Sequence, residues 1–586
     1  MEYYNLTIYI SVIMDESERF RILGMLDEVS SEVNSDLAES DDDSDADPDF
    51  EILSEHDTDS EESGNEECMV ESSAEVESRV YLGKDKTTIW KKEMPNRRVR
   101  TRAHNIISHI PGVKDTAKQK RSFDGVFSLF LSDDILNEIT RCTNLYIKDA
   151  SSRYSSRQSF IQETNVDEIK ALLGLLYLGG VFKAGRVNVE EFWNKDGTGL
   201  EIFQVTMTVQ RFRFLLQSLR FDEKATRAER KRFDKLAPIR RVFELFNSNC
   251  KSHYCLGEYV TVDEMLVAFR GRCSFRMYMP KKPAKYGIKI FNLTDARTAY
   301  SSNLEVYVGE QPDGPYKVSN KAHDVVVRLS SPIHGSSRNI TMDNWFTTYT
   351  LAISLVKDFK LTMLGTVRKN KREIPPEFTI AKSRQCYSSI FGLQENCTIV
   401  SYVPKKNKCV ILMSTMHHDT KIDENTGEAR KPEMITLYNA TKGGVDLVDQ
   451  MSATYDVART TRRWPLALFF CIMNVAAINS LIIYKSNNKS SIRRRDFLKN
   501  LGKELIRNHL VKRTEVNSVP PTMRKRVRGM LGEEEPEKQD VGEDGRPQKG
   551  RCYLCKDNKS QFSCAKCHKF LCLRKHANFL CKDCLG

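Results

Sequence analysis

Four aspartates in this 586-residue chain could share one reaction. Asp263 lies at the end of the β-rich run beginning Tyr259-Val-Thr-Val, and Asp343 ends a second run, Asn339-Ile-Thr-Met. The strand ends of α/β sheets are where side chains converge on a ligand without entering the core. Asp446 and Asp449 stand three apart in Lys442-Gly-Gly-Val-Asp-Leu-Val-Asp-Gln. On a helix that spacing is a rise of about 4.5 Å, so both can face one cleft. Such a grouping suits phosphodiester chemistry, because two divalent ions about 3.5–4 Å apart would neutralise the carboxylates, activate water or a 3′-hydroxyl, and stabilise the leaving oxygen. Mg²⁺ prefers these hard oxygen ligands, with Mn²⁺ the expected substitute. Spacing by itself favours the plainer roles of surface or helix-capping aspartates.

A second chemistry is written in the last 35 residues, which hold seven of the sixteen cysteines. Cys552, Cys555, Cys564, Cys567, Cys572, His576, Cys581 and Cys584 supply eight soft ligands in paired spacings. Four per ion gives two tetrahedral zinc sites, and a crossed arrangement assigns Cys552, Cys555, Cys572 and His576 to one ion and the other four to the second. His568 is adjacent to Cys567 and is awkward as a co-ligand of the same ion. With so few apolar residues nearby, folding here should depend on structural zinc. Lys556, Lys559, Lys566, Lys569, Arg574 and Lys575 make DNA a partner for this module, although cross-braced zinc modules also bind proteins.

A third set of residues is basic. Arg270, Arg272, Arg276, Lys281, Lys282 and Lys285 follow the first aspartate and alternate with Phe269, Phe275, Met277 and Tyr278. They could hold a phosphodiester backbone, with the aromatics stacking on displaced bases; a solvated hairpin face has the same composition. Trp464 follows Arg462 and Arg463 and is a stronger candidate for DNA contact than Trp345, although either tryptophan could simply be core.

Charge divides the chain into an acidic and a basic part. Ile22–Ser78 holds 22 acidic residues and no Lys or Arg, so the 508 residues from 79 onward carry +35 of formal charge against +11 overall. Residues 1–80 therefore read as a disordered acidic tail that cannot bury enough apolar surface to order itself. The basic remainder points to a polyanionic partner. Residues 81–114 read as a basic arm. Residues 115–255 read as helical, with apolar faces over Phe127–Thr140, after Asn165, over Met207–Leu219 and over Ile239–Asn249. β-rich runs then appear at Tyr259–Leu266, Tyr286–Leu293, Leu304–Val308, Asn339–Asp343 and Leu361–Val367, with a helix predicted at Phe346–Lys357. This gives an α/β domain over 256–455 with an insertion near 369–430, in which Cys397–Pro404 and Cys409–Ser414 are short strands. Helices return over 456–510, a linker with the basic cluster Arg524–Arg528 spans 511–550, and the zinc module occupies 551–586. That basic cluster suits nuclear import, phosphate contact or a solvated linker alike.

Scattered single cysteines elsewhere fit a reducing compartment. No basic segment precedes the apolar residues of Tyr3–Met14, so a signal peptide is not expected. Leu466–Tyr484 is apolar but contains Asn474, Asn479 and Ser480, which predicts a buried helix starting near Pro465 rather than a membrane span.

At the aspartates the chain closely resembles the piggyBac family of transposases. The matching segments are Thr261-Val-Asp-Glu-Met, Phe269-Arg-Gly-Arg-Cys-Ser-Phe-Arg-Met-Tyr-Met-Pro-Lys-Lys-Pro-Ala-Lys-Tyr-Gly-Ile-Lys-Ile, Arg338-Asn-Ile-Thr-Met-Asp-Asn-Trp-Phe-Thr, Gly365-Thr-Val-Arg-Lys-Asn-Lys-Arg-Glu-Ile-Pro and Tyr438-Asn-Ala-Thr-Lys-Gly-Gly-Val-Asp. With the Thr-Arg-Arg-Trp-Pro segment and the Cys-rich end, the resemblance spans roughly 115–586. It implies a multidomain α/β protein with an RNase H-like core and a helical dimerisation and DNA-binding domain. Asp263, Asp343 and Asp446 would be the catalytic triad, and Asp449 an associated fourth aspartate. It further implies nicking at transposon terminal inverted repeats, hairpinned ends, joining to TTAA target DNA, a homodimer and nuclear action. A domesticated DNA-binding protein without transposition, or a nuclease without strand transfer, could carry the same residues.

Overall fold

The computed structural model describes residues 53–54, 79–93, 110–153, 158–185, 187–280, 282–516, 519–533, 549–556, 559–560, 562, 564 and 569–571. The chain divides into two units, Met1–His509 and Leu510–Gly586. Most of the expected acidic tail, residues 94–109 of the basic arm and residues 534–548 of the linker lie outside the described residues.

In the first unit the strands in chain order are β1 (Leu53–Ser54), β2 (Val80–Leu82), β3 (Ile89–Lys91), β4 (Gly112–Val113), β5 (Tyr254–Cys255), β6 (Tyr259–Ala268), β7 (Arg276–Tyr278), β8 (Tyr286–Asp295), β9 (Ser301–Val306), β10 (Asn339–Met342), β11 (Thr362–Thr366), β12 (Ser389–Leu393), β13 (Thr398–Lys405) and β14 (Lys408–Ser414). Twelve of them form one sheet in the order β1-β7-β8-β6-β10-β11-β14-β13-β12-β3-β2, with β9 also on β8, while β4 and β5 pair separately. β6, β8 and β9 form an antiparallel meander, and β10 and β11 run parallel to β6. The meander's long middle strand is buried from Gly287 to Asp295, its polar residues Lys289, Asn292, Thr294 and Asp295 included.

The segment near 369–430 continues this same sheet. β14 lies antiparallel on β11, with Leu364 opposite Ser414, and β13 and β12 follow outward. Leu364, Val400, Tyr402 and Leu412 pack there against Met434 and Ile435 of the helix Glu433–Thr441. Part of the expected basic arm is sheet as well. β2 and β3 form a hairpin whose Lys91 pairs with Leu393 of β12, and Trp90 is fully buried, its indole N–H donating to the Glu373 carbonyl at 2.9 Å. The polar surroundings of Trp90 hide this long-range pairing from periodicity.

Helices cover residues 115–252, with one correction. Phe127–Thr140 is two elements, Phe123–Phe127 and Asp133–Ser151, because Ser132 is extended between them while Phe130 and Leu131 pack inward. The helix Val166–Val181 begins as expected at Asn165, whose side chain accepts from Glu168 N–H. The apolar segment forms the helix Trp464–Asn488, with Pro465 in its first turn. It is long and apolar enough to cross a membrane, yet its apolar window is wholly buried inside the protein. Its polar residues serve that burial: Asn479 exchanges hydrogen bonds with both the N–H and carbonyl of Ser301 on β9, and Asn474 donates to Asp456 at 2.8 Å.

In the second unit the expected linker is partly helical, with the basic cluster inside the helix Pro521–Leu531. Beyond it, β15 (Gly550–Arg551) and β16 (Lys559–Ser560) form a small antiparallel hairpin.

Candidate active site

Three segments meet at the end of the parallel pairing of β10 with β6. That pairing stops at Val262 opposite Met342, so the next residues, Asp263 and Asp343, emerge side by side. β6 itself continues to Ala268 on its β8 side, where Asp263 faces Asn292; Asp263 therefore lies within a strand and not at its end. Asp449 and Asp446 come from the helix Gly444–Thr454, with Asp446 in its first turn.

Threonines fix how these segments approach. Residues two apart in a strand share a face, so Thr261 and Thr341 point the same way as the aspartates two places on. Thr261 Oγ1 donates to the Thr441 carbonyl at 2.7 Å, and Thr341 Oγ1 lies 2.7 Å from Thr441 Oγ1. Both strands are thus tied to the end of the helix that precedes Asp446. Gly444 completes the joint: a Cβ there would stand 2.5 Å from Thr261 Oγ1 and 3.3 Å from Ala296 Cα, so the helix can sit this close only without a side chain.

The electrostatics are those of crowded carboxylates. Burial, then the neighbouring Glu264 and Asp343, pushes Asp263 up to about 9. Burial, then Glu264, raises Asp343, opposed by the N–H groups of Trp345 and Phe346; the Trp345 N–H donates to Asp343 Oδ1 at 2.9 Å. Burial raises Asp449 to about 7 despite the nearby Lys282. Tyr438 faces the same cluster, and burial lifts its phenol to about 12. Arg368 donates to Asn344 Oδ1 at 3.3 Å and draws Asp343 back down.

Two residues of this cluster escape the sequence reading. Glu264 lies within the quoted Thr261-Val-Asp-Glu-Met segment, yet strict alternation assigns it to the opposite face from Asp263. Its charge nonetheless bears on Asp263, Asp343 and Asp449. Lys282, expected to face phosphate, has its ammonium 3.6 Å from Asp446 Oδ1 and 3.7 Å from Asp449 Oδ2. Among the described residues no group of three or more His, Cys, Asp or Glu closes on a common centre as a ready metal cage. The donor set still suits a hard divalent cation. It is all oxygen, it holds a proton at Asp263 for want of positive charge, and a lysine ammonium already stands against Asp446 and Asp449.

The basic residues separate into two groups. Arg270, Arg272, Lys285 and Arg462 are exposed. The loop after β6 meets the 460–464 segment directly, since a Cβ on Gly271 would lie 2.6 Å from the Arg462 carbonyl, so Arg270, Arg272 and Arg462 share one surface. Arg276, Arg463 and Trp464 are packed inward. Arg276 is buried and donates to the carbonyls of Arg270 and Gly271 at 2.7 and 2.8 Å. Arg463 is buried against the carbonyls of Gln217 and Leu219, and Trp464 is buried edge-on to Phe275 at 4.9 Å. Trp345 is half-buried, stacked on Phe291 at 5.5 Å with the Lys289 ammonium 5.1 Å from its ring. Lys281 lies outside the described residues.

Of the expected zinc ligands, Cys552 and Cys564 are buried and Cys555 is half-buried in the small hairpin unit, whereas Cys567, Cys572, His576, Cys581 and Cys584 lie outside the described residues. Around the three cysteines, Tyr553 N–H donates to Phe570 carbonyl and Cys564 N–H to Lys569 carbonyl, giving a compact knuckle with Leu571 as its buried aliphatic residue.

Residues 124–481 match the family described as Transposase IS4. A solved synaptic complex of piggyBac transposase with hairpin DNA is 36% identical, with a TM-score of 0.69, and the match covers 81% of this chain and all of that one. Human PiggyBac transposable element-derived protein 3 is 23% identical over 484 residues, covering 78% of this chain and 73% of that protein. Human PiggyBac transposable element-derived protein 2 is 22% identical over 391 residues, covering 64% and 63%.

Proposed function

This chain belongs to the piggyBac superfamily of transposases, whose fold of helical and mixed-sheet regions it shares, and from that premise we propose that it is a cut-and-paste DNA transposase working through Asp263, Asp343 and Asp446, with Asp449 assisting. One observation carries this reading: Asp263 and Asp343 emerge together from a parallel strand pair that is hydrogen-bonded to the segment leading into Asp446. The antiparallel meander joined through β6 to two parallel strands supports an RNase H-like core.

Mg²⁺, two ions per site with Mn²⁺ as substitute, would be held by Asp263, Asp343 and Asp446. It would supply charge neutralisation at the attacking and leaving oxygens. The chain's own part is to fix the carboxylates. The threonine ties set their spacing, the Trp345 N–H orients Asp343, and Asp263 holds a proton until positive charge arrives. In the first step a bond forms from water oxygen to phosphorus as the bond to the 3′-oxygen breaks, leaving a 3′-hydroxyl. That hydroxyl then attacks a phosphodiester of the opposite strand, whose 3′-oxygen leaves with the flanking DNA, closing a hairpin at the element end; water hydrolyses the hairpin phosphodiester and restores the 3′-hydroxyl, which attacks a target phosphodiester and expels that strand's 3′-oxygen. The solved relative's hairpin DNA supports the hairpin step. Terminal inverted repeats, TTAA targets, a homodimer and nuclear action rest on the sequence resemblance. Arg270, Arg272, Lys285 and Arg462 would meet the DNA backbone. Cys552, Cys555 and Cys564, with the five further ligands, would hold two structural zinc ions, a use supported by the paired cysteine spacings and the buried Cys552 and Cys564 thiols.

The human relatives are named as element-derived proteins, which favours a second reading: a domesticated DNA-binding protein. A strand-transfer assay separates the two. Purified protein, labelled element-end DNA, a TTAA-containing plasmid and Mg²⁺ should yield ends joined to plasmid. Nicking without joining would leave only a nuclease, and binding without nicking a domesticated protein.

A further inference from the structure

Lys282 stands on the turn between β7 and β8. Its N–H donates to the Met279 carbonyl at 3.1 Å, its carbonyl accepts from the Lys285 N–H at 3.0 Å, and Lys285 takes the left-handed conformation, φ 57°, that closes the turn. From there the side chain runs back over β6, where Nζ donates to the Glu264 carbonyl at 2.9 Å. The same Nζ is 3.6 Å from Asp446 Oδ1 and 3.7 Å from Asp449 Oδ2, and only 20% of the side chain is exposed. A lysine meant for phosphate alone would keep its strongly hydrated ammonium in water on a free stem. Here the backbone turn and the Glu264 carbonyl aim it at two carboxylates.

We propose that Lys282 is a built-in counter-cation: it holds Asp446 and Asp449 in place while the site lacks metal, and it competes with the divalent cation for that side of the site. This rests on the reading of Asp263, Asp343 and Asp446 as metal ligands. It makes Lys282 a positioning residue whose removal tightens metal binding, the opposite of what loss of an ordinary site residue does. Two unit charges about 4 Å apart interact by about 1 kcal/mol even at the dielectric of water, equivalent to roughly fivefold in affinity.

The test is binding of Mn²⁺ alone to the full-length zinc-loaded protein without DNA, followed by the loss of the free Mn²⁺ electron paramagnetic resonance signal. Lys282→Met should bind Mn²⁺ about fivefold more tightly than wild type by this estimate, while Lys282→Arg, which keeps the charge, should stay near wild type. In the metal-free state Lys282→Met should melt below wild type, and Mn²⁺ should raise its melting temperature by more than it raises the wild type's. Unchanged or weaker Mn²⁺ binding by Lys282→Met overturns the proposal; if that variant does not fold, Lys282→Gln gives the same reading. Asp343→Asn separates the two levels of argument. If it leaves Mn²⁺ uptake intact, the active-site reading itself fails. If it removes uptake while the Lys282 variants do not differ, only the lysine's role fails.

Discussion

Glu168 among the helices and the aspartates at the sheet are acidic side chains drawn inside the first unit, and the protein treats them in opposite ways. In the helical region Glu168 is buried and fully answered: Arg211 Nε donates to Oε1 at 2.9 Å, an Arg211 terminal nitrogen to Oε2 at 2.6 Å, and Thr164 Oγ1 to Oε2 at 2.7 Å. The same guanidinium also caps the carbonyls of Phe160 and Gln162. Burial would raise Glu168, yet Arg211 more than offsets it and the carboxyl ends below its ordinary value. At the sheet, Asp263, Asp343 and Asp449 are raised by burial and by the Glu264 carboxylate, with Asp343 adding to Asp263 and Asp446 to Asp449, while Lys282 lowers Asp449 and Arg368 lowers Asp343. The first arrangement is a joint. The second gathers more carboxylates than cations beside β6 and β10, which marks a place suited to receive further cations.

The contrast can be broken most forcefully at the joint. Arg211→Met leaves Glu168 buried without its partner and should destabilise the protein by about 3–5 kcal/mol in denaturant melts. A loss comparable to a surface substitution would mean the pair is not the brace described. Thr441→Val removes one hydroxyl from the threonine ties and should cost about 1–3 kcal/mol, with a fall in cleavage rate and little change in DNA affinity. An unchanged rate would dissolve the link between those ties and the chemistry. Smaller and opposite in sign, Asp263→Asn should raise the melting temperature of metal-free protein, because the amide spares the proton uptake that folding imposes on the buried carboxyl.

The pH dependence sharpens the same distinction. Glu168 has a folded pKa below its unfolded one, so its stabilisation is present above the unfolded value and is lost as pH falls through the folded value. Asp263, raised to about 9, contributes stability that is complete below its unfolded pKa of about 3.9 and is lost as pH rises toward the folded value. Metal-free protein should therefore lose melting temperature between neutral pH and 9, and Asp263→Asn should lose less. Identical alkaline profiles would contradict the crowding. The smallest effect concerns the exposed arginines: Arg270→Ala should reduce the salt slope of DNA binding by about one, while stability stays unchanged.

Much of this was legible in the residues. The two β-rich runs announced strand-borne aspartates, and the three-residue spacing of Asp446 and Asp449 announced a shared helix, whereas the close approach of Gly444 to Thr261 did not show in the sequence. The buried helix could be read from an apolar run interrupted by polar groups that find partners inside. What stayed hidden depends on contacts distant in sequence. Glu264 sits on the wrong face by alternation, Lys282 reaches its carboxylates from a turn more than 160 residues earlier in the chain, and β2 and β3 join a sheet edge some 300 residues on. Trp464 misled because two arginines precede it, whereas Phe275 and the core claim its ring.

The central claim is that the stored charge beside β6 and β10 is the catalytic machinery. Its most direct test is cleavage of labelled element-end DNA in Mg²⁺ by wild type and by Asp343→Asn at matched DNA occupancy. Wild type should nick and the variant should not nick above background, with DNA binding retained. Equal nicking by both would contradict it.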